Sequence, residues 1–221
     1  MAATPVAHVP RRSQIERTAE SDARMLEAAI ALIIERGADR TTLKDVGERA
    51  GYSRGLAGYR FGSKAGLLAF VVRSVGDAWL RALTRATHGR CGLEALEAAT
   101  DAHLRFCLEA PDHVRAFYAL WFEAIGPGSE VRDIIAGVHD RRRRDVETWI
   151  RDGIAAGALA ADVDARAVAD AFCASITGIV YQWLIRPAAV NDIRRMHRDL
   201  EGIMRRLLDG GAGAALRASP A

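Results

Sequence analysis

Apolar residues along this chain recur at intervals of three and four. Leu26, Ala29, Ile30, Ile33 and Ile34 share one helical face before Gly37, and a glycine there accepts the left-handed backbone that ends a helix. Thr42-Leu43-Lys44-Asp45 has capping-box form, and Leu43, Val46 and Ala50 make a short apolar stripe up to Gly51. Ser53 is placed to cap a third, short helix through Phe61. Ser63 is placed to cap a fourth that starts at Lys64 and turns Leu67, Leu68, Val71 and Val75 inward. Periodic stretches continue over Leu93 to Glu109, Asp112 to Ile125, Glu130 to Ala156, Asp164 to Ile185 and Asp192 to Leu208. Pro111, Gly126-Pro127-Gly128, Gly157 and Pro187 punctuate them. No segment alternates at period two and no repeat recurs at a fixed spacing, so the pattern predicts an all-α fold. Residues Met1 to Glu20 are polar, carry Pro5 and Pro10, and read as a flexible basic arm; Gly210 to Ala221 reads as a flexible tail.

Composition narrows the class. Half of the 221 residues are hydrophobic and 6% aromatic, which suits one or two domains able to close a core. Cys91, Cys107 and Cys173 are odd in number and far apart, so they read as reduced thiols rather than staples or a zinc site. No continuous apolar run reaches the length of a membrane span, and no hydrophobic stretch follows Arg11, Arg12 and Arg17. The expectation is a cytoplasmic protein that does not contact the membrane. Charge is uneven: 13 Lys+Arg stand against 9 Asp+Glu up to Arg81, and 18 against 19 thereafter. A positive head on a neutral body hints at a polyanionic partner. There is no G-x-S-x-G, no phosphate-binding glycine loop, no H-E-x-x-H and no C-x-x-C pair, so an enzyme is not expected.

The informative block is TLKDVGERAGYSRGLAGYRFGSKAGLL, Thr42 to Leu68. A helix, a glycine turn and a short second helix have the proportions of a helix-turn-helix, about residues 42–61, whose second helix enters the major groove. From Arg24 to Val71 the chain resembles the TetR family of one-component transcriptional regulators. The likeness runs through Gly37, the Thr41-Thr42 pair, the Ala50-Gly51 turn, Ser53, Gly55, Tyr59, Phe61 and Ser63-Lys64. Gly47 stands where the family usually has alanine, and Gly58 where it often has a first aromatic. Each lowers helix propensity by up to about 1 kcal/mol, so the third helix is expected to order fully only on DNA.

Phosphate contacts position a reading head and base-edge contacts specify sequence. Lys64, Arg60, Thr42 and the Tyr59 hydroxyl suit backbone oxygens. Arg54 can grip guanine bidentately, Leu56 can cover a thymine methyl, Gly55 lets the backbone approach, and Ser53 caps the helix that carries them. Arg11, Arg12 and Arg17 could follow the minor groove, although a solvated arm is the plainer reading.

The resemblance implies a DNA-binding domain over 21–81 and a helical sensor and dimerisation domain over 82–209. It implies a homodimer on a palindromic operator in double-stranded DNA, acting as a repressor that a small-molecule effector releases, with no cofactor. The alternative is a helical small-molecule-binding protein or enzyme whose first domain has lost DNA binding. Ala167, Ala171, Ala174, Ser175 and Gly178 place small side chains on one side of the penultimate helix, and Ile193, Met196, Leu200, Ile203 and Leu207 repeat as a helix seam. A dimer interface or packing within one subunit would account for both. His103, Phe106, Cys107, Phe117, Tyr118, Trp121, Trp149 and Tyr181 are candidates to line a pocket, or are ordinary core. His103 and Cys107 sit at i, i+4, but no third ligand is spaced with them and no metal is expected. Arg141 to Arg144 radiate around their helix and are expected to be mostly solvated.

Overall fold

The computed structural model describes residues 13–209, apart from the side chains of Arg54 and Asp209. The tail and the first part of the arm, with Arg11 and Arg12, lie outside the described residues. Among those described there are nine α-helices and no strand: α1 (Gln14–Arg36), α2 (Leu43–Arg49), α3 (Arg54–Phe61), α4 (Lys64–Thr87), α5 (Gly92–Glu109), α6 (Pro111–Glu123), α7 (Arg132–Ala155), α8 (Ala165–Ile185) and α9 (Val190–Asp209). Two compact units divide at Leu67/Leu68, inside α4 and short of the Arg81 boundary expected from the sequence.

In the first unit, α1 begins within the stretch expected as an arm. The Ser13 hydroxyl accepts the Glu16 N–H at 3.2 Å while the Glu16 carboxylate accepts the Ser13 N–H at 2.7 Å. That capping box satisfies two free amides and starts a helix through a polar segment that shows no apolar stripe. Arg17, on its first turns, bonds Gln14. Gly37 ends α1 at φ 83° and Gly51 makes the α2–α3 turn at φ 79°, angles costly for any other residue. Thr42 caps α2 as expected, accepting the Asp45 N–H and donating its hydroxyl to the Asp45 carboxylate at 2.5 Å. Ser53 occupies the N-cap position of α3, but its side chain makes no capping bond there. Ser63 does cap α4, accepting the Gly66 N–H at 3.0 Å. At Gly47 a Cβ would lie 3.2 Å from the Ser53 carbonyl oxygen, a tight approach that the turn would have to relax by a few tenths of an ångström to admit. Met25, Ala29, Ile33, Val46, Ala57 and Leu67 are buried.

In the second unit α5 packs on α6, α7 and α9, and α8 on α7 and α9. Leu96, Leu120, Ile150, Ile176, Ile193, Leu200 and Met204 are almost fully buried. The seam expected along α9 therefore splits: Ile193 and Leu200 belong to the core of their own subunit, together with His197, Met204 and Leu208, while Ile203 remains 49% exposed. No continuous apolar run reaches spanning length, as expected, but one helix is long and apolar enough when its whole composition is taken. By length and composition α8 qualifies, with 21 residues and a mean hydropathy of 1.4 over its most apolar window. Asp170, Ser175 and Thr177 interrupt it, which hides it from a search for continuous apolar runs.

Two histidines cross this core. His197 Nδ1 lies 2.8 Å from the Ile193 carbonyl and His197 Nε2 lies 2.9 Å from His103 Nδ1. A carbonyl only accepts, so His197 carries its proton on Nδ1 and its Nε2 accepts from His103. Burial holds both rings below the ordinary value of 6.5; for His103 the neighbouring His197 and Arg142 lower it further, and for His197 the Ile193 carbonyl opposes the shift.

Two glycines make a contrasting pair of tests. A Cβ on Gly153 would sit 2.7 Å from Gly92 Cα, whereas one on Gly58 meets nothing within 4 Å. Gly153→Ala should destabilise by about 1–3 kcal/mol, and Gly58→Ala should stabilise by up to about 1 kcal/mol, both read by thermal melts. If Gly153→Ala melts no lower than wild type, the close α5–α7 approach is wrong. The histidines yield a second expectation. Unfolding exposes rings that protonate near 6.5 while the folded ones resist, so the unfolded chain binds more protons below that pH. Stability should be level above about 6.5 and fall as pH drops below it. The double variant His103→Leu/His197→Leu should flatten that fall in melts between pH 7.5 and 5.5; an unchanged slope would assign it to other groups.

Candidate nucleic-acid interface and internal cavities

Helix α3 packs on α2 and buries Ala57 completely. Around it, Gly55 is exposed, Leu56 half-buried and Tyr59 90% exposed. The Arg54 side chain lies outside the described residues. A guanidinium–carboxylate fork ties α3 to α1: Arg60 Nε and an Nη lie 2.7 and 2.5 Å from the two Asp22 oxygens. Lys64 donates to the Asp39 carbonyl at 2.6 Å, with the Asp39 carboxylate 3.8 Å away. Three of the expected phosphate donors, Thr42, Arg60 and Lys64, thus have partners inside the first unit. Thr42 in particular donates to a carboxylate that Arg36 also reaches at 2.5 Å. The Thr42 hydroxyl first, and Arg36 after it, hold Asp45 below the usual carboxylate range against its desolvation.

Two small, partly open cavities lie between the helices of the second unit. The first, of about 30 Å³, is lined by Val75, Gly76, Trp79, His103, Phe106, Val114, Phe117, Tyr118, Trp121, Val138 and Arg142. The second, of about 20 Å³, is lined by Trp79, Leu83, Ala99, His103, Arg142, Val146, Trp149, Phe172, Cys173 and Ile176. Each has room for about one water. Trp79, His103 and Arg142 belong to both linings, so those three side chains form the wall between them.

Six of the eight sequence candidates line a cavity: His103, Phe106, Phe117, Tyr118 and Trp121 the first, Trp149 the second. Cys107 lines neither. It is buried 3.9 Å from His103 Nδ1, and burial pushes its thiol up to about 12. Tyr181 is 52% exposed and packs edge-on against Phe122 at 5.7 Å, because its helical position turns it away from the core. Among the described residues no group of three His, Cys, Asp or Glu side chains is placed to hold a metal ion.

Of the lining residues that were not sequence candidates, the two shared by both cavities matter most. Trp79 lies on α4, a helix assigned to the other domain. Arg142 lies in the arginine run expected to be solvated, and that expectation fails for this member. Arg141 pairs with Asp145, and Arg143 with Asp140 and Asp170, but Arg142 stands over the Trp121 ring at 5.7 Å and lies near enough to the Tyr118 phenol to oppose the upward shift that burial imposes on it. The spacing contains the signal: Ile135, Val138, Arg142, Val146 and Ile150 follow one another at threes and fours, which puts Arg142 in the apolar stripe of α7.

Comparison with known proteins agrees with this arrangement. Residues 25–71 match the family model described as bacterial regulatory proteins, tetR family. Residues 92–209 match the model described as BetI-type transcriptional repressor, C-terminal. The chain is 26% identical over 213 residues to the HTH-type transcriptional regulator TtgR of Pseudomonas putida, covering 93% of this chain and 96% of that one. It is 28% identical over 171 residues to the HTH-type transcriptional regulator BetI of Rhizobium meliloti, covering 76% and 79%. A transcriptional regulator from Saccharomonospora viridis, solved in complex with choline, shares the fold with a TM-score of 0.72 at 23% identity, over 86% of this chain and 98% of that one. A reading helix held on a small helical head, a helical body with an aromatic cavity, and matched models across both place one conclusion beyond the fold: the chain belongs to the TetR family of transcriptional regulators.

Proposed function

We infer that this regulator is a cytoplasmic repressor that binds a palindromic operator as a homodimer and leaves it when a small molecule enters the cavities of the second unit. The observation that carries the reading is the outer face of α3, with an exposed Gly55, a half-buried Leu56 and a 90% exposed Tyr59 on a helix anchored through Ala57 and Arg60. An apolar and aromatic face exposed on a head whose charge is positive suits base edges and sugars between phosphates. Arg54, in the first turn of α3, is assigned to a base, and Lys64, able to exchange the Asp39 carbonyl for a phosphate, to the backbone.

The outer face of α8 supports the dimer. Ala171, Ala174, Gly178, Tyr181 and Ile185 follow at threes and fours, with Tyr181 and Ile185 52% and 65% exposed. A two-fold contact through that face would cover them and supply two heads for half-sites about 34 Å apart. Release follows as a population shift. Helix α4 runs from Lys64 to the cavity residue Trp79 and on to Thr87, so a ligand that moves Trp79 acts on the rod that carries the reading head. The choline-bound neighbour supports a small-molecule site in this body, although Arg142 argues against choline itself here.

Binding to duplex DNA from upstream of its own gene, measured by fluorescence anisotropy across 50–200 mM salt, tests the DNA contacts. Arg54→Ala and Leu56→Ala should each weaken binding by about 1–3 kcal/mol; Lys64→Ala should weaken it less and make the salt dependence shallower by about one unit of slope. Unchanged affinity in all three would reject the assigned face. Light scattering tests the dimer: wild type should have twice the 23.9 kDa chain mass, and Ile185→Glu should shift it toward monomer with loss of operator binding. A monomeric wild type would refute the interface.

A further inference from the structure

The cavities contain one ionised side chain. Arg142 lines both, and no Asp or Glu lines either. Their other titratable groups are kept neutral by burial: His103 below its ordinary value, the Tyr118 phenol and the Cys173 thiol above theirs. The neighbouring arginines show that the arrangement is selective. Arg141 and Arg143 have carboxylate partners outside, whereas Arg142 has the Trp121 ring face and the Tyr118 hydroxyl, and no carboxylate among the described residues. A guanidinium in aromatic surroundings is stabilised by ring quadrupoles but keeps forked N–H donors that fit a carboxylate.

Given the effector reading above, on which this rests, we propose that the effector is an aromatic organic acid whose carboxylate is held by Arg142 and whose rings lie among Trp79, Phe106, Phe117 and Trp121. An anion there gains charge-assisted bonds in a medium of low dielectric. A quaternary ammonium would meet an uncompensated cation and no acidic wall. Volume adds a condition. Separate cavities of about 30 and 20 Å³ cannot contain rings, so binding displaces the wall of Trp79, His103 and Arg142 and merges them. The carboxylate therefore binds the side chain whose movement opens the site.

Isothermal titration of the full chain with matched probes tests the inference. The probes are benzoate, 1-naphthoate and 9-anthroate, each beside its primary amide and its aryl-trimethylammonium counterpart. In whichever ring series binds, the carboxylate should bind at least tenfold more tightly than the amide and the ammonium. Arg142→Gln should reduce the carboxylate to the level of the amide while leaving the amide within threefold of wild type, which also shows that the variant's cavity is intact. An amide or ammonium that binds as well as the carboxylate, or a preference that survives Arg142→Gln, overturns the inference and leaves the effector site standing. Absence of binding in all three series overturns both.

Discussion

A helix of eight residues does not hold its shape in water, since isolated helices shorter than about 12–15 residues are marginal even in favourable sequences. Helix α3 is that short and includes Gly55 and Gly58. Its order is imposed from outside: Ala57 is buried, the helix packs on α2, and the Arg60 fork grips Asp22 on α1. The pair is partly exposed and contributes on the order of 1 kcal/mol or less by itself, but it fixes rotation as well as position because both nitrogens are engaged. The start of α4 adds a steric stop. A Cβ on Gly66 would fall 2.1 Å from the Phe61 carbonyl oxygen, so the last turn of α3 abuts the first turn of α4 where only glycine fits. Every contact proposed for DNA depends on this clamp.

The second unit meets a different constraint. Its core is mostly apolar: Thr87 and Thr100 bond carbonyls of their own helices, the His103–His197–Ile193 hydrogen-bond chain joins α5 to α9, and Arg142 reaches in from α7. Buried polar groups are tolerated when their bonds are satisfied. The histidines meet that condition with a single tautomer, and the partly buried Arg142 stands over a ring face beside a phenol. His103 and Arg142, with Trp79, also divide the interior space in two. A polar wall in an apolar core is a place where two packings can lie close in energy, because opening it exchanges internal partners for ligand contacts rather than exposing apolar surface.

The architecture was legible because helices announce themselves by period and by caps. Gly37, Thr42, Gly51 and Ser63 mark the ends of α1 to α4 where expected, and each later helix was found to within a few residues. The exceptions are instructive. The N-terminal turns of α1 went unread because their signal is the reciprocal Ser13–Glu16 box and not an apolar stripe. Ser53 stands at an N-cap and leaves its hydroxyl out of the cap, since residue type establishes only what a side chain is able to do.

Local order along the chain was enough to establish the nine helices of the described residues, the helix-turn-helix block and the family likeness, because each rests on residues within a turn or two of one another. Partnership across the fold needed three dimensions. Whether Arg60 faces a phosphate or Asp22, whether Arg142 faces water or a cavity, and which half of the α9 stripe belongs to its own core are choices between side chains of identical local character. They are resolved by helices distant in sequence, through the rotation at which each packs, and that rotation depends on the summed fit of many contacts rather than on any single motif.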